Sequence, residues 1–361
     1  MIKGIYVHIP FCKKKCYYCD FLSTTNYSEN DLDKYVNYII KEINLYEKYE
    51  YNTVYFGGGT PSILNHDMIK KILENINYSE DSEITLEVNP NTVSYDNLVK
   101  YKEIGVNRIS IGCQTFNDNL LKKIGRNHSS SDAIEIFNNA RKAGFTNISI
   151  DIIFGLPNQT IENIREDLKI IKNLSPEHIS IYSLIWKEGT KFWEMLENHQ
   201  IEEIDENIEA DMYELIIEEL KKINYEHYEI STFSKLGYQS KHNLKYWRNE
   251  KYLGIGIGAS GYIENIRYKN YEDFKNYYNF IDRKKRPINE LETIDNIKNN
   301  EYYYIMGLRL LIEGVKISKE YKKIAEKLIV SGFLKKDKYE NYILTKKGIF
   351  LANEVFVEFL K

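Results

Sequence analysis

Six short strand-like runs, spread through the first half of the chain and separated by helix-patterned stretches, constrain the fold more than any other feature. The runs cover residues 4–9, 53–56, 83–88, 107–112, 147–153 and 177–183, and helical patterns such as 29–46, 131–143 and 160–173 fill the intervals. Alternating β and α units of this size demand a parallel sheet with helices outside it. Six such units predict an α/β fold, a partial (β/α)6 barrel.

The alternation within each run says which face meets the helices. Ile84, Leu86 and Val88 oppose Thr85, Glu87 and Asn89; Ile109, Ile111 and Cys113 oppose Ser110, Gly112 and Gln114. Ile148, Ile150 and Ile152 oppose Ser149 and Asp151, and Ile5, Val7 and Ile9 oppose Tyr6 and His8. Side chains alternate faces with a period of two, and the apolar face must pack on helices. The polar face therefore points inward on strand after strand, whereas an ordinary (β/α) barrel fills its interior with branched apolar residues. A cavity for a polar ligand is the expectation. The motifs 57–61 (Gly-Gly-Gly-Thr-Pro), Glu87-Val-Asn89-Pro90, Gln114, Asp151 and Gly155-Leu-Pro157 all fall at the C-terminal ends of these runs, the face on which such barrels carry active sites.

Three of the four cysteines, Cys12, Cys16 and Cys19, follow the first strand with the spacing C-x3-C-x2-C. Three thiolates bind three irons of a [4Fe–4S] cube and leave the fourth iron open, whereas an electron-transfer ferredoxin closes it with a fourth Cys. A zinc site would need a second pair of ligands that this segment lacks. A disulfide does not suit a chain without an export signal. Cys113 has the parity of Ile109 and Ile111, so it is expected as a small buried hydrophobe.

The net charge of −4 gives no global field toward nucleic acid or an anionic membrane. No apolar run approaches the roughly 20 residues needed to span a bilayer, and residues 1–10 lack the parts of a signal peptide. A cytoplasmic location is expected, where thiols and a cluster stay reduced. The 31 tyrosines go with a chain-wide bias toward Ile, Lys, Asn and Glu and mark no aromatic site. Three units are predicted: the barrel over 1–225, an α/β extension over 226–290 containing His242-Asn-Leu-Lys-Tyr246-Trp247, and a helical, winged-helix-like module over 291–361. Basic residues in that last module are interspersed with acids, which suits a structural cap better than a DNA-binding surface.

The cysteine pattern resembles the radical S-adenosylmethionine (SAM) superfamily. Nearly end to end, the chain resembles the oxygen-independent coproporphyrinogen III oxidases, and in particular their haem-chaperone branch. The resemblance rests on Tyr6-Val-His-Ile-Pro-Phe-Cys12, the Gly-Gly-Gly-Thr-Pro-Ser stretch ending at Ser62, Glu87-Val-Asn-Pro90, Arg108-Ile-Ser-Ile-Gly-Cys-Gln-Thr-Phe116, Gly125-Arg126-Asn-His128, Asp151-Ile-Ile-Phe-Gly-Leu-Pro157 and His242-Asn-Leu-Lys-Tyr-Trp247. Two departures point away from the oxidases: Phe21 stands where they carry a further Cys, and the first cluster Cys comes at position 12, without their long N-terminal extension.

The resemblance implies cluster ligands Cys12, Cys16 and Cys19 and a SAM site of Tyr6, Tyr18, Gly58, Gly59, Thr60, Glu87, Gln114, Arg126, Asp151 and Ile153. SAM would occupy the open iron, and an electron from the cluster would cleave it. In this branch the protein would bind haem and deliver it to an apo haem protein. His242 is the candidate axial ligand, with Tyr246 on the same helical face and Trp247 against the porphyrin. The alternative is an oxygen-independent coproporphyrinogen III oxidase or another radical-SAM enzyme acting on a tetrapyrrole. Inward parity sets His8 near the cluster. For His128 a local cap at Ser129-Ser-Ser131 competes with a functional role, while His178 and His227 carry no motif.

Overall fold

The structure, a computed structural model, describes residues 2–360. The six predicted strands are β1 (Gly4–Ile9), β2 (Tyr51–Gly58), β3 (Tyr78–Val88), β4 (Arg108–Gln114), β5 (Ile148–Phe154) and β6 (His178–Ser183). They pair in parallel in sequence order. Helices start where the side chains can cap them. Ser28 with Asp31, Ser94 with Asn97, Ser129 with Asp132 and Thr160 with Asn163 each form a reciprocal capping box. The apolar strand faces are buried against these helices: Ile5, Val7, Val54, Phe56, Leu86, Ile109, Ile111, Ile150 and Ile152 meet Leu32, Val36, Ile39, Leu98, Ile136 and Ile164 in one cluster.

The barrel sheet does not stop at β6. Four strands, β7 (Glu226–Glu229), β8 (Thr232–Ser234), β9 (Tyr252–Ile255) and β10 (Ser260–Ile263), continue it, as do β11 (Ile266–Asn270) and β12 (Ile288–Thr293). The spatial order is β12-β11-β10-β9-β1-β2-β3-β4-β5-β6-β8-β7. Residues 226–290, the expected α/β extension, supply strands to both edges of the barrel sheet, and β12 crosses the 290/291 boundary. An open barrel leaves unpaired edges on β1 and β6, and added strands satisfy them. Between the added strands, the helix Lys241–Trp247 crosses to the N-terminal end of the barrel, where Glu83 accepts from the backbone N–H groups of Lys241 (3.1 Å) and His242 (3.0 Å).

The last segment has its own core of Tyr304, Leu308, Leu328, Leu334, Val355 and Phe359. Its helices flank a hairpin of β13 (Leu334–Lys336) and β14 (Tyr342–Leu344). Arg309 Nε donates to the buried carboxylate of Glu229 at 2.8 Å and ties the module to β7. Among the described residues no helix is long and apolar enough to cross a membrane.

Candidate functional site

The site is built where β2 ends beside the cysteine loop. Gly59 N donates to Ile9 O and Thr60 N to Phe11 O, both at 2.8 Å, so the glycine run lies alongside the chain entering that loop. Gly58 has φ +113°, and a Cβ there would stand 2.4 Å from the His8 ring. At Gly59 a Cβ would stand 2.9 Å from two carbonyl oxygens. Only glycine permits this approach.

A chain of side chains then links two of the thiols. Thr60 Oγ1 donates to Cys12 Sγ (3.4 Å), and Asn89 Nδ2 donates to Thr60 Oγ1 (2.9 Å). Arg126 Nη2 donates to Asn89 Oδ1 (2.7 Å) and Gly112 O (2.5 Å), and its Nη1 reaches Cys16 Sγ at 3.5 Å. Burial pushes the Cys12 thiol up, and pushes Cys19 up to about 11. These thiols ionise only when a positive partner replaces the lost water. Among the described residues, no three His, Cys, Asp or Glu side chains converge on a single ion.

Below the thiols stand two carboxylates. Glu87 accepts from Tyr55 OH (2.7 Å) and Gly58 N (3.2 Å), and burial pushes it up to about 7, with Asp151 adding to the rise. Asp151 accepts from Ser110 Oγ at 3.1 Å and is also raised, chiefly by burial. Cys12, Cys16, Cys19, Tyr18, Gly58, Gly59, Thr60, Glu87, Gln114, Arg126 and Asp151 line one cavity of about 130 Å³. Gln114 holds φ +69° at a bulge in β4, an unusual conformation for a non-glycine residue, which turns its amide into this cavity.

Three expected residues lie elsewhere. Tyr6 hydrogen-bonds His8 Nδ1 (3.0 Å) and lines an adjoining cavity of about 300 Å³. Ile153 is buried with Leu121, Ile124 and Leu156. His242 requires a correction. It is 1% exposed, with Nδ1 2.9 Å from Thr53 Oγ1 and Nε2 2.8 Å from Tyr246 OH, and its ring stacks on Tyr55. Both nitrogens are committed, burial pushes the imidazole down to about 3, and the ring plugs the barrel floor. It is not placed to ligate haem iron.

The remaining histidines follow local rules. His8 Nε2 is 2.9 Å from Leu22 O. His128 does not cap its helix, since Ser129 does; its Nε2 is 3.2 Å from Cys113 O. Cys113 is fully buried, as its parity predicts, and burial pushes its thiol up. His178 is buried between Ser149 and Tyr228.

Reading motifs one by one left Arg108 and Asn89 without roles. Arg108 is 1% exposed, its Nε has no partner, and its charge lowers the carboxyls of both Glu87 and Asp151. The signal was present, because Arg108 shares the inward parity of Ser110, Gly112 and Gln114.

Thiolates at the mouth of a carboxylate-lined partial barrel define a class, and residues 6–171 match the Radical SAM superfamily. The heme chaperone HemW of Bacillus subtilis is 37% identical over 99% of both chains. That of Lactococcus lactis is 38% identical over 98% of this chain and 96% of its own. The chain belongs to the HemW heme-chaperone family of radical SAM proteins. The solved coproporphyrinogen III oxidase (HemN) of Escherichia coli shares the fold, with a TM-score of 0.84 over 99% of this chain and 90% of its own at 24% identity.

Proposed function

We propose that this protein is a haem chaperone that holds a [4Fe–4S] cluster on Cys12, Cys16 and Cys19, binds SAM beneath it, and carries haem to an apo haem protein. The observation that carries the reading is similarity to heme chaperones over nearly the whole of both chains. Phe21, 61% exposed on the rim that the two cavities share, agrees with it, because this is the position where the resembling oxidases carry a further Cys.

The residues present suit the two resident groups. When bound, the cluster supplies an open iron site and an electron. Arg126, with a buried Nε that no protein group satisfies, offers a donor to a carboxylate. Glu87 and Asp151 offer acceptors to an ammonium or to ribose hydroxyls. Gly58 and Gly59 let the backbone close on the ligand. The buried Tyr55 and Ser110 hydroxyls fix the carboxylates in place. A cytoplasmic site of action belongs to this reading, since the thiols must stay reduced.

The test is anaerobic titration of the cluster-loaded protein with haem, read at the Soret band, beside an assay of coproporphyrinogen III decarboxylation. Stable haem binding without decarboxylation is expected, followed by loss of the bound haem to an added apo haem protein. Decarboxylation without haem binding would overturn the reading in favour of the oxidase.

A further inference from the structure

The larger cavity, about 300 Å³, opens beside the thiol cavity and shares Phe21 with it. Its wall carries the rings of Tyr6, Phe21, Tyr246 and Tyr252 together with His8 and Lys269. Flat aromatic walls suit a flat macrocycle, and an iron within it needs an axial ligand.

The groups that could supply that ligand differ in what they have left to give. His8 has no free nitrogen, since Nδ1 meets Tyr6 OH and Nε2 meets Leu22 O. Lys269 is paired with Glu272 at 2.6 Å. His242 lies behind the wall with Nδ1 on Thr53 and Nε2 on Tyr246. Tyr6 also lines the cavity, but His8 Nε2–H donates to Leu22 O, which leaves Nδ1 as an acceptor to which the Tyr6 O–H is committed. Tyr246 is different. It lines the cavity, its oxygen is 2.8 Å from His242 Nε2, and a phenol oxygen keeps a further lone pair after one hydrogen bond.

We propose that Tyr246 is the axial ligand to a ferric porphyrin seated in this cavity, and that His242 is the positioning residue that orients its oxygen. The proposal rests on the haem-binding reading above and assigns the residue that carries it. Ligation requires the Nε2–H tautomer of His242, in which Thr53 Oγ1–H donates to Nδ1 and Nε2–H donates to the Tyr246 oxygen. In this tautomer the phenol proton points away from His242. Ligation then breaks the O–H bond, forms the Fe–O bond and releases the proton to water in the open cavity, and no electron moves. The imidazole stays neutral throughout, and its N–H stabilises the phenolate as an outer partner does for a metal ligand. Tyrosine is an established protein ligand to haem iron. Tyr252, whose ring meets Tyr246 edge-on at 4.6 Å, lacks an imidazole behind it and serves as wall.

The experiment compares ferric protoporphyrin IX with iron-free protoporphyrin IX, titrated into the full-length, cluster-loaded protein and its Tyr246→Phe, His242→Ala and Tyr252→Phe variants. Cluster content and SAM binding report that each variant is folded. The wild type is expected to prefer the iron porphyrin. Tyr246→Phe should lose that preference, with a shifted Soret band, while binding the iron-free macrocycle as before. His242→Ala should keep the ligated spectrum at about 10- to 100-fold weaker affinity, the usual cost of losing an outer partner. Tyr252→Phe should keep both spectrum and preference. An unchanged Soret band and preference in Tyr246→Phe would overturn the assignment. So would equal weakening of both porphyrins, which marks a structural role, or loss of the ligated spectrum in His242→Ala alone. Wild type that binds neither porphyrin would instead overturn the haem-chaperone reading itself.

Discussion

The affinity of the barrel for SAM should rise with pH through neutrality, and Glu87 should be the cause. Glu87 is half-buried in the cavity wall, with Tyr55 OH and Gly58 N as its hydrogen-bond donors, and burial pushes its carboxyl up to about 7. Its fixed neighbours are Asp151, which raises it, and Arg108, which lowers it. A cationic ligand such as SAM is attracted only by the ionised form. At about one pH unit below the midpoint roughly a tenth of the protein carries that charge, and at one unit above roughly nine-tenths does, so affinity should climb about tenfold, or ~1.4 kcal/mol, across the interval. Glu87→Gln keeps the shape and removes the charge. At the upper pH it should cost ~1.5–3 kcal/mol, a loss of about 10- to 150-fold, and the pH dependence should flatten. Calorimetric titration with SAM at three pH values, in cluster-loaded wild type and variant, measures both effects. A variant with the wild-type slope would refute the reasoning, because the titrating group would then lie elsewhere.

Other predictions bear on the scaffold. Iron and sulfide analysis should find that Cys12→Ala, Cys16→Ala and Cys19→Ala each abolish the cluster, while Cys113→Ala, on the helix face of β4, retains it. Gly58→Ala should destabilise the protein by ~1–3 kcal/mol in urea melts and weaken SAM binding, since the backbone holds φ +113° and the new methyl meets His8. Glu42 is fully buried and accepts from Gly256 N, Asn270 Nδ2 and Tyr277 OH, and burial raises its carboxyl from 4.5 to about 7. A carboxyl raised in the folded state contributes stability that is whole below about pH 4.5 and lost as pH rises through about 7; here that is about 3 kcal/mol. Denaturant melts of wild type and Glu42→Gln across this range should show the variant's stability falling less steeply, and parallel curves would exclude Glu42 as a source of the slope.

How much of this could be read from the chain depended on the range of the interaction. Strand and helix placement follow from periodicities of two and 3.6, and helix starts from a Ser or Thr three residues before an acid or amide. These patterns are complete within a dozen residues, so the six barrel strands, the inward faces of Glu87, Ser110 and Asp151, the outward face of Cys113 and the clustered thiols were all determined by the sequence alone. The tertiary structure decided whatever depends on partners far apart in the chain. Nothing local to the His242 segment says that Thr53 lies against Nδ1, and that contact, with Tyr246 on Nε2, turns the expected haem ligand into a floor plug. The same holds for the strands after residue 226, whose places beyond the open edges of β1 and β6 no local pattern specifies. It holds also for the link from Cys12 through Thr60, Asn89 and Arg126 to Cys16, whose members come from four different segments. Hydrogen-bond partners of that kind are chosen by which groups burial leaves facing one another, and burial is a property of the whole folded chain.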